Sequence, residues 1–245
     1  LLTLLPFEPP YFEAQGLTAT CVGHPVTESH AERGDGPAFR DRHGIAPETP
    51  VLCVLPGSRA TEVSRLLPVF GETLKRLASR FEGLHVVVPM VPALADHIES
   101  ATNDWPLPVT LLRDEKEKFH AFAAADAALA ASGTVSLELA MAGVPMAVAY
   151  RMNPLTAWLA RRMVRVKYAS LVNLLLEREA IPEFLQKDCH PEALARTLET
   201  LLTDTAAREE QRAAFTGALA MIGQGGEPPS LKAARLVLDH GKKSR

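Results

Sequence analysis

From Val51 onward, short unbroken apolar runs alternate with stretches whose apolar residues recur at helical spacing. That alternation limits the fold more than any other feature of the chain. The runs "VLCVLP" (51–56), "LHVVVPM" (84–90), "VTLL" (109–112), "AALAA" (127–131) and "PMAVAY" (145–150) read as strands. A strand apolar at every position is covered on both faces, which is the signature of a parallel sheet between two helical layers. The intervening segments supply the helices. Residues 62–81 place apolar side chains at 63, 66, 67, 70, 74, 77 and 81, one face of a 3.6-residue period. Shorter helices are expected over 92–99, 115–125, 134–142 and 154–164. From Glu192 the pattern is helical to the end, interrupted at "GQGGEPPS". The fold class is therefore α/β: a doubly wound parallel sheet over residues 50–245 with a helical C-terminal tail.

The first fifty residues are less regular. Leu1 to Leu5 and Thr18 to Val22 read as strands flanking a short helix over Tyr11 to Gln15. Residues 26–49 are rich in Gly, Pro and charge, and read as an interdomain linker with one short helix ending near Gly44. The apolar opening "LLTLL" reads as a cut into a longer protein, so residues 1–25 are expected to be the tail of an N-terminal domain.

Composition removes several function classes. A net charge of −3 provides no basic field for nucleic acid. Cys21, Cys53 and Cys189 are widely spaced and odd in number, which fits a reduced cytoplasmic protein and offers no zinc spacing. No apolar run approaches the roughly 18 residues of a membrane span, and the N-terminus lacks the basic region of a signal peptide.

In an open parallel sheet, ligands sit beyond the carboxyl ends of the strands. Two loops there carry candidate chemistry. In Pro56-Gly57-Ser58-Arg59, Gly57 permits a sharp turn, Ser58 can cap the next helix, and Arg59 offers a planar fork that matches phosphate oxygens. In Ser132-Gly133-Thr134 the same combination of small residue, hydroxyl and helix N-terminus recurs, an arrangement suited to an anion. Glu138 shares a helical face with Thr134 at i and i+4, where a carboxylate can accept two hydrogen bonds from a ribose diol. Together these residues read as a nucleotide diphosphate site. The glycine spacing matches neither G-x-G-x-x-G nor the P-loop. Arg151, at the end of the fifth strand, is a second candidate cation or a surface charge. His24, beside Pro25, reads as a hinge residue.

The segments "LLPFEPPYFEAQG", "VGHP", "LPGSRATEV", "ASGTVSLELAMAGVPMAVAYRMNPLTAWLARRMVRVKYASLVNLL" and "PEFLQKDCHPEAL" resemble the lipid-A-disaccharide synthase family, in the same order from Leu1 to about Leu202. The resemblance implies the C-terminal, Rossmann-like half of a GT-B glycosyltransferase. Such an enzyme transfers 2,3-diacylglucosamine from UDP to 2,3-diacylglucosamine 1-phosphate (lipid X), forming the lipid A disaccharide and releasing UDP. Carried over by position, Gly57, Ser58 and Arg59 meet the diphosphate, Ser132, Gly133 and Thr134 cradle it, and Glu138 holds the ribose. Asn173 and Gln186 fall at polar positions around the donor. An amide inside the apolar run "SLVNLL" must find partners, either a ligand or the protein itself.

No Asp-x-Asp motif is present, so no metal or other cofactor is expected. The general base is expected to be a carboxylate of the N-terminal domain, and no catalytic residue is assigned within this chain. Two other readings stand beside this one. The first is a different UDP-sugar enzyme of the same fold, either the peptidoglycan glucosaminyltransferase or a UDP-N-acetylglucosamine 2-epimerase. The second is a UDP-binding module that is catalytically incomplete. Because the substrates are acylated, the basic stretch Arg161, Arg162, Arg165 and Lys167 beside Trp158 is expected to touch an anionic membrane at its cytoplasmic face. The C-terminal tail is expected to pack on the N-terminal domain or on a second subunit, as in a homodimer.

Overall fold

A computed structural model describes residues 1–153 and 167–243. Its centre is a six-stranded parallel sheet, built from β3 (Val51–Leu55), β4 (His85–Pro89), β5 (Val109–Leu112), β6 (Ala127–Ala131), β7 (Met146–Tyr150) and β8 (Glu183–Leu185). The spatial order is β5-β4-β3-β6-β7-β8, with every neighbouring pair parallel. The chain winds outward from β3 in one direction and then restarts at β6 in the other. The β3–β6 seam is thus the topological switch point, where an open α/β sheet leaves a crevice.

Preceding the sheet are β1 (Leu2–Thr3), β2 (Thr20–Cys21), α1 (Pro9–Glu13) and α2 (Gly36–Arg42). The flanking helices are α3 (Ala60–Ala78), α4 (Ala95–Thr102), α5 (Lys118–Ala124), α6 (Val135–Met141), α7 (Leu171–Leu176), α8 (Pro191–Thr203), α9 (Thr205–Met221) and α10 (Pro229–Lys243).

Strand pleating divides the core. Leu52 and Val54 face one side, packing with Leu66, Phe70 and Leu74 of α3 and Leu194 and Leu198 of α8. Cys53 and Leu55 face the other, with Phe122 of α5, Leu137 of α6, Val172 of α7 and Phe215 of α9. Alternate residues of one strand therefore enter opposite layers, which is why β3 is apolar throughout. Burial raises the Cys53 thiol far above its ordinary range, so this cysteine is a packing residue and not a nucleophile. All three cysteines are free.

Several expectations need correction. Helix α3 begins at Ala60, and its N-cap is Arg59, which makes no side-chain cap bond; Ser58 does not cap it. Of the first two expected strands, only Leu2–Thr3 and Thr20–Cys21 pair, in parallel, and Leu1, Leu2 and Leu4 are exposed. Residues 26–49, read as a linker, pack onto the sheet domain. Phe39 and Ile45 are buried with Val51, Val87 and Ala121, and Arg40 Nη2 donates to Ala124 O at 2.7 Å. Glycines 34 and 36 allow this approach, because a Cβ on either would lie within 2.3 Å of a carbonyl oxygen of α5. Strand β8 and helix α7 complete the domain without having been anticipated. The expected helix over 154–164, with Trp158, Arg161 and Arg162, lies outside the described residues, as does Arg165. Among the described residues, no helix is long and apolar enough to cross a membrane.

His24 joins the N-terminal segment to the domain. Its backbone N–H donates to Ile222 O at 3.1 Å, and its Nδ1 accepts from Val26 N–H at 3.1 Å. Helix α10 closes back on this region, where Ser230 N–H donates to Glu28 at 3.0 Å.

Candidate functional site

The loops after β3 and β6 open onto one cavity of about 400 Å³ at the switch point. Gly57, Ser58 and Arg59 line one side, and Ser132, Gly133, Thr134 and Glu138 line the other. Seven of the nine residues that the resemblance puts around the donor therefore meet in one hollow. Pro89, Met90, Val91 and Leu112, from the ends of β4 and β5, form an apolar wall between them. A half-apolar, half-charged cavity of this size suits a ligand with a flat apolar group at one end and charge at the other.

Each turn has a local cause. Gly57 adopts φ +117°, a conformation that L side chains rarely take. Its missing Cβ also makes room for Glu62, because a Cβ there would stand 2.9 Å from Glu62 Oε2. Glu62 is buried and accepts from Arg59 Nη1 at 2.7 Å, one turn apart on α3. This hydrogen bond raises the already high pKa of Arg59, so the guanidinium is a permanent cation. The Arg59 side chain is 76% exposed and lines the cavity.

The Ser132 loop behaves differently from expectation. Ser132 donates both its hydrogens to the protein: its hydroxyl to Ala169 O at 2.9 Å and its N–H to Ala149 O at 3.2 Å. It can accept from a ligand but has no donor left for a phosphate. Gly133, at φ +155°, and Thr134, whose side chain caps no helical N–H, are the exposed groups of this loop.

Glu138 is half-buried and already engaged. Both its oxygens accept from Lys118 Nζ, at 2.9 Å each. Lys118, Asp114 and Glu115 follow β5 and line the same cavity. None was singled out from the sequence, where residues 115–125 are expected only as a short helix. A signal was nevertheless available. The rule that ligands gather at strand carboxyl ends applies to β5 as well as to β3 and β6.

Asn173 and Gln186 do not join the site. Asn173 is fully buried and its amide is saturated: Nδ2 donates to Ile181 O and Glu183 Oε1, both at 2.8 Å, while Oδ1 accepts from Ala180 N (2.7 Å) and Ile181 N (2.9 Å). An amide offers two donors and one carbonyl acceptor, and all are spent on the protein. Gln186 sits just past β8 at φ +53°. Oriented to satisfy both its polar atoms, its amide pairs with the backbone of Met152 at 3.1 and 3.3 Å. Arg151 also lies outside the lining, with Nη2 donating to Cys189 O. Among the described residues, no cluster of three or more His, Cys, Asp or Glu side chains could hold a metal ion.

The family model for lipid-A-disaccharide synthetase matches residues 1–225. The chain belongs to this family. It is 55% identical to the lipid-A-disaccharide synthase of Rhodospirillum centenum over 98% of its own length and 60% of the relative's. It is 52% identical to that of Paramagnetospirillum magneticum, over 100% of the chain and 64% of the relative. The chain thus spans about three fifths of the length of these curated relatives. Among solved structures it is similar to MurG of Acinetobacter baumannii, with a TM-score of 0.55 and 16% identity over 99% of this chain and 59% of that one. A UDP-N-acetylglucosamine 2-epimerase gives a TM-score of 0.60 at 15% identity, over 96% of this chain and 56% of that one. At such identities the likeness establishes the fold alone, a doubly wound parallel α/β sheet.

Proposed function

We propose that this chain forms the donor-binding half of a lipid-A-disaccharide synthase and that its switch-point cavity holds UDP-2,3-diacylglucosamine. The carrying observation is the convergence of the Gly57 and Gly133 turns, with Arg59 and Glu138, on one cavity beside an apolar wall. The ring of uracil suits that wall, the ribose diol suits the Glu138 carboxylate, and the diphosphate suits the mouth flanked by Arg59, Gly133 and Thr134. Glycosyl transfer leaves negative charge on the departing UDP. Oriented donors and a permanently charged guanidinium stabilise that charge as it develops, without a metal in this scheme. Transfer to the 6-hydroxyl of lipid X also requires a base, which we assign to a carboxylate outside these 245 residues.

Calorimetric titration with UDP tests the site. Arg59→Ala and Glu138→Ala should each weaken binding about tenfold, the loss of one charge-assisted contact. Unchanged affinity in both variants refutes the assignment. Tighter binding of UDP-2,3-diacylglucosamine than of UDP-N-acetylglucosamine separates this reading from the peptidoglycan transferase and the 2-epimerase.

Because the proposed substrates are acylated, we further propose that the basic sequence Arg161, Arg162, Arg165 and Lys167 binds anionic lipid at the cytoplasmic face of a membrane. Flotation with anionic vesicles should weaken when all four are neutralised, and unaltered flotation removes the idea. A homodimer through the C-terminal helices is the corresponding proposal for assembly, read out by sedimentation.

A further inference from the structure

The cavity is oddly charged for an anion. Among the described residues, its lining carries four carboxylates, Glu62, Asp114, Glu115 and Glu138, against two cations, Arg59 and Lys118. Glu62 is matched by Arg59, and Asp114 and Glu115 are solvent-exposed, where water screens them. Glu138 is the exception. It is only 19% exposed and lies in the same hollow as the two loops. Left ionised and alone, it would oppose every anion that enters. Lys118 Nζ meets both of its oxygens at 2.9 Å from a position that is itself 29% exposed.

Building on the reading of the cavity as a nucleotide site, we propose that Lys118 is a positioning residue. It neutralises the Glu138 carboxylate so that one cavity can take a ribose diol and a diphosphate together. An ionised carboxylate has about four acceptor positions, and the bidentate ammonium uses two of them. The remaining two stay available to the diol, so Lys118 and a ribose can share Glu138. The ammonium meanwhile cancels the field that the carboxylate would project onto the phosphates, across a space of reduced dielectric.

The prediction separates charge from shape. In the intact protein, Lys118→Met should weaken UDP about tenfold while changing uridine, which lacks the phosphates, by less than about threefold. Lys118→Arg retains the charge and should bind UDP within about threefold of the unaltered protein. The decisive arm is a double-mutant cycle. With Glu138→Gln in the background no carboxylate remains to neutralise, and Lys118→Met should then cost less than about threefold in UDP affinity. The same tenfold loss in that background would make Lys118 a direct phosphate ligand and overturn the proposal. Equal losses of UDP and uridine, or no loss of UDP, also overturn it. If the unaltered protein binds neither UDP nor uridine, the nucleotide reading itself falls, and this inference falls with it.

Discussion

Replacing Asn173 with alanine removes four hydrogen bonds from a position with no solvent contact. The Ile181 N–H and C=O both lose their partner in a fully buried setting, and each such orphan costs about 1–3 kcal/mol. Ala180 is half-buried, so water can replace part of its bond. Glu183 keeps two other donors, the N–H groups of Ala169 and Ser170, both at 2.8 Å. Adding a small cavity term gives a loss of about 3–5 kcal/mol, a large fraction of the stability of an ordinary domain. At a urea slope of roughly 2–3 kcal/mol per molar, the midpoint should fall by about 1–2 M with the slope preserved. Because Glu183 still anchors residues 169–170, the Ser132 loop stays in place. UDP affinity of the folded protein should therefore change by less than about threefold. Denaturation and calorimetry on the same preparation decide the matter. Native-like stability together with a tenfold loss of UDP affinity would refute the structural role and return Asn173 to the binding site.

Other outcomes follow from the same geometry. Gly57→Ala forces a Cβ onto a backbone at φ +117° and to 2.9 Å from Glu62. It should cost about 1–3 kcal/mol in thermal unfolding and weaken UDP as the Arg59–Glu62 pair shifts; a silent substitution would show that the turn relaxes freely. Burial lowers the pKa of His24 below 6.5, an effect only partly offset by Glu8. The unfolded chain therefore binds a proton more readily, and the stability that His24 confers is complete above about pH 6.5 and erodes as the pH falls. His24→Asn, whose Oδ1 can accept the same bond from Val26, should flatten that part of the pH–stability curve, and an unchanged slope below pH 6.5 would exclude His24 as its source.

How much of this was legible in the sequence depends on how many faces an element buries. Strands β3, β4, β6 and β7 are covered on both sides, and their unbroken apolar runs announce them. Strand β8 is a three-residue edge strand of half-exposed side chains, and α7 spans only six residues. Neither is long enough to display a period. The segment read as a linker gave no such signal because its buried apolar residues, Val26, Ala31, Phe39 and Ile45, are few and follow no regular spacing. At the site, glycine and hydroxyl at a strand end were informative because sheet topology alone dictates where those loops go. Asn173 was not, because a buried amide has the same sequence whether its partners are ligand or backbone. Lys118 and Glu62 were hidden among ordinary helical charges, since only tertiary structure brings Lys118 across to Glu138.

The support behind the Ser132 loop explains why the block "KYASLVNLL" belongs with the site without touching its contents. Ser132 Oγ is tied to Ala169 O; Ala169 and Ser170 hang from Glu183; and Glu183 is held in turn by Asn173. The chain of contacts runs from the cavity rim to the edge strand β8, and each link spends a polar group that could otherwise have met a ligand. The other rim is built the opposite way, with Arg59 exposed and restrained only by Glu62 on its own helix. One rim is thus braced by hydrogen bonds to the protein and supplies shape, whereas the other is exposed and supplies charge. Under the proposed function, the braced loop would set the shape against which a diphosphate rests, and the exposed guanidinium would supply the opposing charge.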